Sequence, residues 1–172
     1  QTTFVGNEVT FSGGGLYASG DSVLNEVDFS NNQATSGGGV YATDALTVQG
    51  GQFAGNVGSG IQVGAALALA GANFAGNVGQ EGAAIRANHT AAITSTTFSN
   101  NRCSSSACRG GAVFVSVAGT FSDTTFTGNS AQFAGGGLWA NGGLLVTNSE
   151  FVANECELED CLGGGLYSNS LV

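Results

Sequence analysis

The sequence of 172 residues contains no proline, no methionine and no lysine, and its only firmly basic residues are three arginines. Twelve acidic residues give it a net charge of −9. Nucleic-acid binding rests on phosphate neutralisation by lysine and arginine, so we expect no nucleic-acid partner. The longest apolar stretch, residues 63–72, is far shorter than the roughly 20 residues that span a bilayer, so we expect no membrane insertion by this section.

Glycine, by contrast, is abundant, and it belongs to a repeat. Phe-x-x-Asn occurs seven times, and each copy is followed by a tripeptide of glycine or other small residues and then by an aliphatic residue. In the six complete units, the next motif phenylalanine lies 13 positions after that aliphatic residue. The step from phenylalanine to tripeptide varies from 5 to 12 residues. A fixed half and a variable half, repeated every 21 to 28 residues, predict the coil and the loop of a solenoid.

Apolar side chains alternate with other side chains along the fixed half, as in Val40, Ala42, Leu46 and Val48, which indicates strands rather than helices. We predict an all-β fold, a right-handed parallel β-helix with three short strands per coil and about six complete coils plus partial terminal coils. Residues 1–172 are interpreted as a single β-helix domain and as a section of a longer repeat array. Stacked coils would place the motif phenylalanines inside and the asparagines in a hydrogen-bonded ladder. This predicted structural ladder comprises Phe29, Asn32, Phe53, Asn56, Phe74, Asn77, Phe98, Asn101, Phe126, Asn129, Phe151 and Asn154.

The pairing of the small tripeptide and its aliphatic residue with Phe-x-x-Asn resembles the repeats of chlamydial polymorphic membrane proteins, which are autotransporter-type surface adhesins. The resemblance covers nearly the whole chain. It implies a surface-exposed stalk that binds host cells and self-associates. We predict a non-enzymatic rod, extracellular or on the cell surface, that needs no cofactor. The predicted partners are a protein or glycan on a cell or fibre surface and, end to end, other copies of the rod.

Four cysteines lie in the two longest variable segments, as Cys103 and Cys108 and as Cys156 and Cys161. Pairing between the segments would bridge two coil spacings, roughly 9.6 Å, whereas a disulfide needs Cα atoms within about 7 Å. We therefore predict one disulfide within each segment, which indicates secretion or surface display. The second segment also carries Glu155, Glu157, Glu159 and Asp160, which form either a solvated acidic loop or a weak Ca²⁺ site.

The residue after the corner aliphatic residue should point outward, and it is aromatic in five of seven repeats. The predicted contact surface is therefore Tyr17, Tyr41, Phe114, Trp139 and Tyr167. Exposed apolar surface of this kind marks contact with a sugar or a protein, unless the variable loops fold back and cover it.

Two other functions compete with the adhesive rod. Ice binding would use a strip of small outward residues similar to the Thr-x-Thr faces of antifreeze proteins, although ordinary strand propensity also explains the threonines. That strip comprises Thr94, Thr96, Ser122, Thr124, Thr147 and Ser149. Polysaccharide degradation, known for other β-helix proteins, is a minor alternative. Asp28 and Glu150 occupy equivalent positions four or more coils apart, too far for paired acid–base chemistry, so no catalytic, cofactor-binding or metal-binding residue is predicted.

Overall fold

Parallel β-strands make up all the regular structure of the described chain. The computed structural model describes residues 2–171, so Gln1 and Val172 of the predicted domain lie outside the described residues. Residues 2–171 contain 23 strands and no helix, and every strand pairing is parallel. The described part therefore has no helix of the length and hydrophobicity that a bilayer span requires. Strands recur in the same order in successive coils and build four ladders, here named sheets 1 to 4 in the order in which a coil passes through them.

Sheet 1 contains the motif phenylalanines, which pair directly with one another from coil to coil. Its strands are Thr2–Val5, Val27–Ser30, Gln52–Ala54, Asn73–Ala75, Thr97–Ser99, Thr125–Thr127 and Glu150–Val152. Sheet 2 is short and was not predicted. It follows the asparagine corner and consists of Val78–Gly79, Arg102–Cys103, Ser130–Ala131 and Glu155–Cys156. The prediction of three strands per coil thus describes the three longer sheets.

Sheets 3 and 4 follow the small tripeptide and form the fixed half of each coil. Sheet 3 comprises Leu16–Ala18, Val40–Ala42, Ile61–Val63, Ile85–Ala87, Val113–Val115 and Leu166–Leu171. Sheet 4 comprises Ser22–Asn25, Leu46–Gln49, Leu67–Ala70, Ala91–Thr94 and Gly119–Ser122. The strand Leu138–Thr147 runs through both and joins them. Seven strands in sheet 1 give the solenoid about seven turns, close to the predicted number.

The interior of the solenoid is a column of stacked rings surrounded by aliphatic side chains. Successive motif phenylalanines have ring centroids 4.5 to 5.2 Å apart and ring planes within 20° of parallel. The five from Phe29 to Phe126 are at most 1% exposed, whereas Phe4 and Phe151 in the end coils are half-buried. Burying each ring stabilises the fold by about 1.5–3 kcal/mol. The predicted phenylalanine column is confirmed.

The asparagine ladder is also confirmed, and its pattern saturates the amide groups. Each asparagine from Asn7 to Asn129 donates its backbone N–H and one side-chain N–H to Oδ1 of the asparagine in the next coil, at 2.9–3.1 Å. From Asn32 onwards the other side-chain N–H donates to the carbonyl of the phenylalanine one coil earlier, at 2.8–3.1 Å. An interior amide is tolerated because its donors and its acceptor are paired.

Three corners turn each coil, and each contains a residue in the left-handed region. The first tripeptide residue has a φ of 55° to 97° in all seven repeats, and the residue before each motif asparagine has a φ of 49° to 65°. The third corner lies three residues before each motif phenylalanine from Phe29 to Phe151 and has a φ of 46° to 71°. Glycine suits such corners sterically. At the second tripeptide position the limit is space, since a Cβ on Gly38 would lie 2.1 Å from the carbonyl oxygen of Val57.

Candidate contact surface

The predicted aromatic column lies on the outer face of sheet 3, but it is interrupted. Tyr17 and Tyr41 stack in the first coils at 5.4 Å, and Phe114, Trp139 and Tyr167 stack in the last coils at 4.6 and 6.4 Å. Between the two groups the column is occupied by Gln62 and Arg86, which pair in register with their neighbours. The column is therefore two separate stacks, one towards each end of the solenoid.

Two members of the predicted contact surface are covered, which corrects that prediction. Tyr17 is 54% exposed, whereas Phe114 and Trp139 are only 7% and 6% exposed. Both rings belong to one buried cluster with Ala134, which lies on the loop before the next tripeptide, and Arg109 lies over the ring of Trp139. The rings also cover each other, because stacking within 12° of parallel turns the face of each ring towards its neighbour. A sugar cannot stack flat on the middle of such a column.

A cleft of about 400 Å³ nevertheless opens beside the second stack, and we name it the aromatic cleft. Phe114, Trp139 and Tyr167 line its floor. One wall is formed by loop residues, chiefly Arg109 and Phe133. The other is formed by the residues two positions after the floor rings, which are Ser116, Asn141 and Asn169. Its volume lies within the range of small-molecule sites, roughly 300–1,000 Å³.

Arg109 stands in the loop wall with its guanidinium group near two rings. Its Cζ lies 5.3 Å from the ring centroid of Trp139 and 5.5 Å from that of Phe133. Cation–π contacts at these distances are favourable, most of all with tryptophan. The backbone of Arg109 pairs with Ala134, which in turn pairs with Leu162 in the next coil. Arg109 is therefore held at both its backbone and its side chain.

The opposite wall is a chain of hydrogen bonds between coils. The hydroxyl of Tyr167 donates to Oδ1 of Asn169 at 2.9 Å, and Nδ2 of Asn169 donates to Oδ1 of Asn141 at 2.7 Å. Asn141 and Asn169 are both exposed. These amides can therefore offer their remaining donors and acceptors to a molecule in the cleft.

The disulfide Cys103–Cys108 supports the loop wall, because Arg109 directly follows Cys108. Both cysteines are buried, with Cα atoms 5.9 Å apart. The carbonyl of Cys108 accepts the N–H of Phe133 at 3.0 Å, and its Sγ accepts the N–H of Gln132 at 3.2 Å. The predicted disulfide thus ties the two loops that form this wall. The second predicted disulfide, Cys156–Cys161, is also present, with Cα atoms 5.8 Å apart.

The predicted ice-binding strip is not a single outward face, and this prediction is wrong in its geometry. Thr94 and Thr147 are exposed and Ser122 is half-buried, but Thr96 and Thr124 are each 1% exposed. Between the two positions lies the left-handed corner residue, Ser95 in the Thr94–Thr96 pair, with a φ of 46°. Because the corner residue is not extended, the two residues that flank it do not point to the same side as they would in a continuous strand. The hydroxyl of Thr96 therefore turns inward and donates to the carbonyl of Thr94 at 2.7 Å.

Small residues also occur on the true outer face of sheet 4. There Thr47, Ala68, Ala92, Thr120 and Leu145 line a shallow, uncharged groove of about 660 Å³. Beside it run Gln49, Ala70, Thr94, Ser122 and Thr147, which are exposed or half-buried. These two rows together are named the alanine–threonine face.

The acidic groups are dispersed over the described surface. Among residues 2–171, no three or more His, Cys, Asp or Glu side chains converge as metal ligands. Within the acidic loop, Glu157 pairs with Arg102 at 3.6 Å. Asp28 and Glu150 lie on the second and the last of the seven strands of sheet 1, at positions that remain far apart.

A solenoid of parallel strands whose described interior is packed with stacked phenylalanine rings and aliphatic side chains defines a class of rod-like β-solenoid proteins. The chain belongs to the right-handed β-helix family: the model of the right-handed β-helix region matches residues 1–151 of the 172. The predicted fold class and hand are thereby confirmed. Comparison with curated proteins gave no significant match, and neither did comparison with solved structures. The narrower chlamydial type of repeat stays a prediction.

Proposed function

We propose that the protein is a non-enzymatic extracellular rod that contacts a glycan or protein of a cell or fibre surface through the aromatic cleft. The observation that carries this proposal is the cleft itself, which brings aromatic edges, a guanidinium group and two exposed amides together at one place. Binding sites characteristically combine an apolar lining with a few placed polar groups. The rest of the coil stack acts as a rigid support for it.

The resemblance to polymorphic membrane protein repeats supports the adhesive role, and the two disulfides support an oxidising, extracellular setting. Phe-x-x-Asn acts in this proposal through the interior, since Phe98 and Asn101 are at most 1% exposed. The repeats thus set the spacing at which outer side chains are presented. Self-association remains part of the proposal, since the same resemblance implies it.

A glycan array probed with the purified protein tests this function. The informative pair of variants is Tyr167→Ala and Tyr17→Ala, which remove tyrosines from the same column position at opposite ends of the rod. Only Tyr167 lines the aromatic cleft, so we expect Tyr167→Ala to lose glycan binding and Tyr17→Ala to retain it. Equal retention in both variants, with both folded by circular dichroism, would remove the cleft as the contact site.

Ice binding is the second candidate, because the alanine–threonine face is lined mostly by small residues and carries no charge over five coils. Thermal hysteresis of the purified protein measures this activity. If the face binds ice, hysteresis should be present and should be lost in Thr94→Tyr but retained in Thr127→Tyr, which alters an exposed residue of sheet 1. Absence of hysteresis in the unaltered protein would eliminate this candidate.

A further inference from the structure

We infer that the aromatic cleft selects acidic sugars and that Arg109 is the residue that binds their carboxylate. The inference rests on the proposed contact function and narrows it to a ligand class, glycans that contain a uronate or a sialate. In it, the guanidinium group of Arg109 receives the carboxylate, while the amides of Asn141 and Asn169 receive ring hydroxyls.

Arg109 differs from the two other arginines in having no carboxylate partner among the described residues. Arg86 pairs with Glu81 at 3.5 Å, and Arg102 pairs with Glu157 at 3.6 Å. Arg109 makes no ion pair within residues 2–171, and its guanidinium group lies over the rings of Phe133 and Trp139. In a chain with a net charge of −9, a cation without a carboxylate is conspicuous.

The lining of the aromatic cleft reinforces this point, since it contains one charged residue, Arg109, and neither Asp nor Glu. An anion that enters the cleft therefore meets one cation and no lining carboxylate. A guanidinium group presents a planar fork of donors that matches a carboxylate in two parallel hydrogen bonds. The rings of Trp139 and Phe133 hold this fork in place before a ligand arrives, which reduces the ordering that binding requires.

A sugar suits the cleft better than an acidic peptide does. Extended peptides bind by adding a strand to a free sheet edge, where backbone groups are unpaired. The aromatic cleft lies on the outer face of sheet 3, across Val113–Val115, Leu138–Thr147 and Leu166–Leu171, so its lining presents side chains and not the backbone of a strand edge. What the cleft offers is side-chain amides, hydroxyls and ring edges, and these groups match the dense hydroxyls of a sugar ring.

Binding should be measured by calorimetry and on an array with sialyllactose and a hyaluronan tetrasaccharide as acidic probes. Their neutral counterparts are lactose and the carboxyl-reduced tetrasaccharide. We expect the acidic probes to bind more tightly than their counterparts and more weakly as salt is raised. Arg109→Gln should lower the affinity for the acidic probes at least about tenfold, as expected for loss of a charge-assisted hydrogen bond. Arg109→Lys should retain part of the affinity for the acidic probes.

The matched control is Arg102→Gln, which removes the same charge from a residue that does not line the cleft and should leave the affinity unchanged. An equal loss in both arginine variants would mean a general charge effect and would overturn the inference. Equal binding of acidic and neutral probes, with Arg109→Gln unaffected, would also overturn it while leaving the contact function intact. No binding of any array glycan by the unaltered protein would overturn both the acidic-sugar inference and the glycan form of the proposed function.

Discussion

Asn101→Ala is the substitution that tests most clearly whether the buried asparagine ladder stabilises the fold. Asn101 is fully buried. Its Oδ1 accepts the backbone N–H of Asn77 at 3.1 Å and the side-chain N–H of Asn77 at 2.9 Å. Its own Nδ2 donates to the carbonyl of Phe74 at 3.1 Å and to Oδ1 of Asn129 at 3.0 Å.

Alanine at this position leaves two buried N–H groups of Asn77 without an acceptor. Each buried donor without a partner costs about 1–3 kcal/mol, so the free energy of unfolding should fall by about 2–6 kcal/mol. Water that enters the small void would place the loss at the lower end. Asn7→Ala is the matched control, because Asn7 is exposed and its side chain makes one bond, to Asn32 at 2.9 Å. Its loss should be about 1 kcal/mol or less.

Guanidinium unfolding followed by the fluorescence of the only tryptophan, Trp139, and by far-ultraviolet circular dichroism measures both losses. The two signals should coincide if the solenoid unfolds as one unit. A loss in Asn101→Ala no larger than that in Asn7→Ala would refute the ladder as a source of stability. A second variant, Asn101→Asp, tests the ladder through the pH dependence of stability. Burial raises the pKa of a carboxyl group, so this variant should gain stability relative to the unaltered protein as the pH falls towards about 4.

Three further predictions concern the core, the cleft wall and one carboxylate. Phe98→Ala should lower the free energy of unfolding by about 3–5 kcal/mol, as for other buried rings, by the same unfolding assay. Replacing both cysteines of the Cys103–Cys108 disulfide with alanine should weaken glycan binding in calorimetry, because that bridge positions the loop wall. The hydroxyl of Thr43 and the backbone N–H of Gly20 hold the pKa of Asp44 below its ordinary value, which an NMR titration should detect.

Each of these predictions has a control within the chain. Phe11 is 78% exposed, so Phe11→Ala should leave stability nearly unchanged. The control for the disulfide variant is Arg102→Gln, which lies next to Cys103, keeps the bridge and does not line the cleft, so it should leave glycan binding intact. Thr43→Val should raise the pKa of Asp44 towards its ordinary value. The Asp44 carboxylate contributes stability at pH values above the pKa that Asp44 has in the unfolded chain. That contribution is lost as the pH falls through the lower pKa that Asp44 has in the folded protein.

The sequence predicts the interior of this protein well, because the interior repeats. A constant 13-residue step places each aliphatic residue and the next phenylalanine on fixed rungs, and stacking at one strand spacing then fixes their neighbours. The motif also carries a signal for its own corner: the third residue of Phe-x-x-Asn is glycine or asparagine in six of seven copies, the residues that best tolerate its left-handed φ. The third corner is harder to predict, since Glu26, Ser95 and Asp123 adopt a positive φ without a glycine signal.

The outside is less predictable for a physical reason, which is that the variable loops have no common register. Arg109 and Phe133 lie in such loops, and nothing in the repeat indicates that they flank Trp139. Asn141 and Asn169 could be found, because they lie two residues after Trp139 and Tyr167 on the same outward alternation. The strand alternation fails at the left-handed corners, which is why the predicted ice-binding strip mixed exposed and buried positions.

The most direct test of the account is an NMR titration of isotope-labelled protein with sialyllactose and then with the hyaluronan tetrasaccharide. We expect amide shifts to change at Arg109, Phe133, Asn141 and Asn169 and to stay constant on the alanine–threonine face. Shift changes at Thr94 and Thr147 with none around Arg109 would contradict it, and so would a titration in which neither sugar perturbs the cleft.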